Sequence, residues 1–134
     1  MTQIANPQWI TNDQALADIC SELADQEIAI DTEFTRRTTY YAQLALIQIA
    51  AGERRILLDP LCIEDWTPMR ALLSNSKDKI FHAALEDIEV FRSDVGAIPA
   101  ILFDTQIAAA FCGLGDNLSS VSYTHLTLPT ILLV

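Results

Sequence analysis

The stretch Glu27-Ile28-Ala29-Ile30-Asp31-Thr32-Glu33-Phe34 decides how the rest of the chain is read. Ile28 and Ile30, with Ala29 between them, predict a short buried strand that runs straight into two acids. In an extended chain, residues two apart point to the same face, so Asp31 and Glu33 project side by side. Neighbouring carboxylates at the end of a buried strand repel each other and are costly to strip of water. A hard divalent cation such as Mg2+ or Mn2+ between them resolves that conflict. The alternative is a pair of solvated acids in a strand-end turn.

Upstream, Thr11 or Asn12 is placed to cap a helix whose apolar stripe is Ala15, Leu16, Ile19, Cys20 and Leu23. Downstream, residues 35–41 are polar and carry Arg36 and Arg37, which predicts a loop beside the carboxylates. Residues 42–50 form a second strand apolar enough to be buried on both faces, Gly52-Glu53 a tight turn, and residues 54–58 a third strand. These three strands read as a meander.

The second half alternates. A short helix is expected over residues 66–73, a strand over 79–82, a helix over 83–91, a strand over 101–103 ending at Asp104, and a helix over 105–112. Strands that alternate with helices imply crossovers, and so a mixed sheet covered by helices.

The 134 residues suffice for one domain with a core, and 51% are hydrophobic, a globular composition. The formal net charge of −10 does not draw in a polyanion at long range. A nucleic-acid substrate therefore requires metal ions or further parts to supply a positive field. Cys20, Cys62 and Cys112 are odd in number and widely spaced, which argues against zinc or a disulfide framework and fits a reducing compartment. The first residues show no signal-peptide pattern and no apolar run approaches the ~20 residues of a membrane span, so a cytoplasmic protein is expected. From Val121 onward the sequence resembles the in-frame translation of a sequencing-library transposon adapter. The expected organisation is a partial domain over residues 1–120 and a non-native tail over 121–134, with His125 given no role. The other reading of the tail is an apolar C-terminal strand.

Glu86, Asp87 and Glu89 crowd the start of the helix that follows the Lys79-Ile80-Phe81-His82 strand. The helix dipole accounts for one acid there; three within four residues suggest more. With this segment in view, the chain resembles the ribonuclease D family of 3′-5′ exonucleases, which share the ribonuclease H-like fold. The matching segments are Asp31-Thr32-Glu33-Phe34, Tyr40-Tyr41-Ala42-Gln43-Leu44, Leu58-Asp59-Pro60-Leu61, residues 82–91, and Phe103-Asp104-Thr105-Gln106.

The resemblance implies an α/β fold: a ribonuclease H-like mixed sheet, with an antiparallel meander of three strands plus parallel strands, flanked by helices and incomplete at the C-terminus. It implies a 3′-5′ exoribonuclease acting on RNA 3′ ends, transfer RNA precursors among them, through two divalent ions, Mg2+ or Mn2+. Asp31 and Glu33 fall on the family's first motif and Asp87 on its second. Asp31 would bridge the ions, Glu33 would bind the one that activates water, and Asp87 would support the other. The family's third motif is a Tyr followed four residues later by an Asp. It has no counterpart after Asp87, because Tyr123 is followed at that distance by Thr127. The family's C-terminal helical RNA-binding domains have no counterpart either. The 134-residue chain itself is therefore expected to be inactive.

Four further residues are substrate-binding candidates: Thr32, Phe34, Gln43 and His82. Phe34 reads equally as core, Gln43 is favoured as a polar strand position, and His82 as a hydrogen-bonded structural histidine. Arg36 and Arg37 read either as phosphate ligands or as a solvated pair, and Asp104 as a helix N-cap in preference to a metal ligand. Two other functions stay open: a proofreading-type DNA exonuclease with the same acids, and an exonuclease-like module that binds nucleic acid without chemistry.

Overall fold

A computed structural model of the protein describes residues 6–36, 40 and 42–114. Arg37, Tyr41 and the expected boundary at residue 120 with its tail lie outside the described residues. Among the described residues, the six strands are β1 (Gln8–Ile10), β2 (Ile28–Thr35), β3 (Gln43–Ala51), β4 (Arg54–Leu58), β5 (Lys79–Phe81) and β6 (Leu102–Asp104). The four α-helices among them are α1 (Asp13–Leu23), α2 (Thr67–Ser74), α3 (Leu85–Val90) and α4 (Thr105–Phe111). One sheet holds all six strands in the order β1-β4-β3-β2-β5-β6. The expected meander is β2-β3-β4, antiparallel throughout, and β1, β5 and β6 join it in parallel pairings.

Local chemistry accounts for most of the boundaries. Asn12 caps α1 by accepting the Ala15 amide at 2.8 Å, and Leu16, Ile19, Cys20 and Leu23 form its buried stripe. Gly52 turns β3 into β4 at φ +56°, a conformation open to glycine at little cost. Asp65 accepts the Thr67 amide at 2.9 Å just ahead of α2, with Pro68 in its first turn.

Two differences from the expected elements matter. Strand β1 was not expected at all. It contributes Ile10, fully buried, and pairs with β4 from Gln8 opposite Ile56 to Ile10 opposite Leu58. Helix α3 starts at Leu85 and not at residue 83, because Ala83 stands in the left-handed region at φ 56°. Beyond Val90 the helix widens into a π-turn, Phe91–Val95, closed by the Gly96 amide on the Phe91 carbonyl at 2.9 Å.

Strand β2 is central, with β3 on one side and β5 on the other. Ile28, Ile30 and Thr32 point into the core, whereas Ala29, Asp31 and Glu33 share the opposite face, as a period of two requires. The β2–β3 register shifts between Glu33 and Phe34, with Glu33 opposite Leu46 and Phe34 opposite Leu44, which leaves Ala45 between them. Strand β3 is less fully buried than its composition suggests, with Gln43 and Ala45 exposed.

Candidate active site

The segment that carries the first motif and the acid of the second meet where the β2–β5 ladder stops. Strand β5 pairs with β2 only at Ile28 and Ala29, so the backbone of β2 beyond that point needs other partners on this side. Asp87, in the first turn of α3, supplies one. Its Oδ1 accepts the Thr32 amide at 3.1 Å and also the Thr32 hydroxyl. Thr32 is buried, and both of its donors are committed to Asp87. The threonine expected to meet a nucleotide thus ties the two acidic segments to each other.

Helix α3 is held at several points, and these fix Asp87. Phe91 and Phe81 are both fully buried and meet edge to face, with ring centroids 6.2 Å apart. Asp94 accepts the Leu44 amide at 2.7 Å, which fastens the π-turn to the start of β3. Arg36 lies over the Phe34 ring at 5.8 Å and forms exposed pairs with Glu86 at 3.6 Å and Glu89 at 3.7 Å. Two of the three crowded acids of α3 therefore face Arg36 at the surface, and only Asp87 turns inward. Beside them an open groove of about 670 Å³ is lined by Arg36, Tyr40, Glu89, Arg92 and Ser93.

The remaining candidates divide as follows. Glu33 is exposed on the same face as Asp31. Phe34 is half-buried and packs against the core. Gln43 is exposed at the start of β3, opposite Thr35. His82 follows β5, and its Nδ1 lies 2.9 Å from the Thr105 hydroxyl, which itself donates to the Phe81 carbonyl at 3.1 Å. With the hydroxyl hydrogen used, the Thr105 oxygen is left to accept from Nδ1–H of His82. Asp104 caps α4, as expected, and also accepts amides from Ala83 and Ala84. That second role was not foreseen, because nothing local links residues 83 and 104.

The electrostatics single out Asp31. Its Oδ2 is buried without a hydrogen-bond partner among the described residues. Burial, then the charges of Asp87 and Glu33, push its carboxyl from 3.8 up to about 6, against the pull of the Thr32 amide. Burial likewise raises Asp87, although its bonds from Thr32 oppose this. A half-buried carboxylate oxygen set with one atom unsatisfied, and a second carboxylate close enough to raise its pKa, fits a hard cation with oxygen ligands. Among the described residues, no three His, Cys, Asp or Glu side chains gather tightly enough to form a finished metal cage. Asp31 and Asp87 are thus the donors that fit, with Glu33 poised at the surface.

This arrangement has a pH signature in metal-free protein. The Asp31 carboxyl is raised on folding, so its contribution to stability is complete below about 3.8 and is lost as pH rises through about 6. Asp31→Asn removes that dependence and raises stability at pH 7 by about 1–2 kcal/mol, a figure reduced from the full shift because the group is partly solvated. Urea unfolding in EDTA at pH 4, 5.5 and 7 measures it. Parallel curves for the two proteins at all three values would remove the assignment.

The family model described as 3′-5′ exonuclease matches residues 7–129. The ribonuclease D of Escherichia coli (strain K12) is 53% identical over 110 residues, 81% of this chain and 29% of that protein. The ribonuclease D of Pseudomonas paraeruginosa is 43% identical over 113 residues, 83% of this chain and 30% of that one. The crystal structure of Escherichia coli RNase D, described as an exoribonuclease involved in structured RNA processing, superposes with a TM-score of 0.81 at 47% identity, over 91% of this chain and 34% of that chain. The chain spans about 30% of the length of these curated relatives. With its first two acidic motifs joined at the end of β2 and the match running almost its whole length, the chain belongs to the 3′-5′ exonuclease family, in the ribonuclease D branch.

Proposed function

We propose that this chain supplies the first acids of a 3′-5′ exoribonuclease site that removes nucleotides from RNA 3′ ends, those of transfer RNA precursors included, in the cytoplasm. The observation that carries the reading is the buried, unpartnered Oδ2 of Asp31 beside Asp87, two acids 56 positions apart in sequence. Two divalent ions, Mg2+ or Mn2+, would supply an activated water and neutralise the charge that develops on the phosphate. Asp31 and Asp87 would hold them from β2 and α3, with Glu33 completing the set from the exposed end of the same strand face. Thr32 holds Asp87 against β2 through its amide and its hydroxyl. The groove with Arg36 and Arg92 offers guanidinium groups to the phosphates of a single strand, Arg36 by exchanging its exposed pairs with Glu86 and Glu89.

The Tyr and fourth acid of the third motif lie outside this set, so the 134-residue chain alone is inactive in this reading. The test compares two proteins on 5′-labelled single-stranded RNA and DNA with Mg2+ or Mn2+. One is the 134-residue chain; the other is a fusion of residues 1–114 to the remainder of a ribonuclease D catalytic domain. The fusion is expected to release mononucleotides stepwise from RNA faster than from DNA, and the chain alone to release none. Trimming by the chain alone that vanishes with Asp31→Ala would contradict the inactivity, and a preference for DNA would move the substrate.

A further inference from the structure

A single carboxylate caps two helices in this fold. Asp104 Oδ1 accepts the Gln106 amide at 2.8 Å, the Ile107 amide at 3.4 Å and the Ala83 amide at 3.0 Å, and Oδ2 accepts the Ala84 amide at 2.9 Å. For α4 this is an N-cap supplied by the residue just ahead of the helix. For α3 it is a cap supplied from twenty residues away, where the helix has none of its own: Ala84 stands at its N-cap position with no side-chain acceptor.

The need for this cap lies in the preceding residue. Ala83 has φ 56°, a region that a residue with a Cβ occupies only when its surroundings hold it there. The groups that hold it are those of Asp104 and its neighbour. Asp104 lies opposite Phe81 in the β5–β6 pairing, so its carboxylate is delivered to the turn by the sheet itself. Thr105 bonds both the Phe81 carbonyl and His82, which closes the turn from the other side. Asp87 stands three residues past Ala84, inside the first turn of α3. The direction of that turn is therefore the direction in which Asp87 points.

We propose that Asp104 is a positioning residue for Asp87: by holding the left-handed turn at Ala83, it sets the angle at which α3 presents the second-motif acid to Thr32 and Asp31. Its primary readout is independent of the metal-binding role proposed above, and its second readout rests on that role.

The experiment is amide hydrogen exchange on the 134-residue chain with Asp104→Asn. Asn keeps the size of the side chain and one acceptor oxygen, so it can serve the Oδ1 partners or the Oδ2 partner but not both. The Ala83 and Ala84 amides are expected to lose protection. The Thr32 amide, whose partner is Asp87 and not Asp104, is expected to exchange about tenfold faster, the scale of a weakened charge-assisted hydrogen bond. The Ile47 and Ile49 amides of β3 should be unchanged. Ala83→Gly, which removes the steric penalty of the turn, should restore most of the Thr32 protection in the Asp104→Asn background. Thr32 protection that stays intact while Ala83 and Ala84 open would overturn the proposal, since Asp104 would then be a cap and nothing more. A uniform rise that includes Ile47 and Ile49 would overturn it as well. In the second readout, Mn2+ affinity measured by electron paramagnetic resonance falls about tenfold in Asp104→Asn, in line with the loss of a group that orients a ligand. A wild-type chain that binds no Mn2+ removes the metal reading and leaves the exchange result to decide this one.

Discussion

Asp31→Ala or Asp87→Ala, placed in the fusion of residues 1–114 with the rest of a ribonuclease D catalytic domain, should lower the single-turnover rate of 3′-terminal nucleotide release about a thousandfold or more, about 4 kcal/mol of barrier. The size follows from what each carboxylate touches. Asp31 carries a buried oxygen for which the described residues offer no partner, and its removal takes one donor from the proposed cation site. Asp87 makes two hydrogen bonds to Thr32, so its removal takes away a ligand and also releases the β2 edge at the same point. Asp87→Ala should therefore cost stability in addition to rate, whereas Asp31→Ala should not, because burial and two like charges act against the Asp31 carboxylate in metal-free protein. Rates within tenfold of the parent for both variants, with folding intact, would mean the acids are not the catalytic ligands.

The second large effect is on folding. Phe91→Ala should destabilise the chain by about 3–5 kcal/mol, the range for removing a fully buried aromatic side chain. Against a total of about 5–15 kcal/mol for a domain, that loss unfolds a marginal chain outright. Phe91 is where the α3 helix becomes a π-turn, and its ring closes edge to face on Phe81 of β5. The substitution leaves a cavity under the helix that carries Asp87. Phe103, half exposed on β6, is the control, and Phe103→Ala should cost under about 1 kcal/mol. Urea midpoints of the three proteins make the comparison, and equal midpoints for Phe91→Ala and Phe103→Ala would show that the aromatic pair does not hold α3.

What could be read from the sequence was what depends on near neighbours. The Asn12 cap, the stripe of α1, the meander and the strand ending in Asp31 and Glu33 all follow from periods of two or 3.6 and from residues within a turn of one another. The resemblance to an exonuclease family added Asp87, which periodicity alone does not distinguish from Glu86 and Glu89. The parts that escaped depend on distant partners. Three residues of β1 make sense only beside β4, and no local pattern marks them. The late start of α3 at Leu85 is set by a carboxylate twenty positions on, which overrides the helical propensity of Ala83 and Ala84. The bond from Thr32 to Asp87 could not be read, because the two lie 55 residues apart. A polar residue between two acids on the inward face of a strand was the available signal, since a buried hydroxyl must find a partner.

The far edge of the sheet has a practical consequence. Helix α4 buries none of its residues, and Ile107, Phe111 and the nearby Phe103 and Leu85 stand largely in water. Greasy rings and branched chains in such number on one flank make a protein that clings to dyes, columns and its own copies. Fluorescent hydrophobic probes should light up on the natively folded chain, and purification should succeed best with dilute stocks and mild detergent.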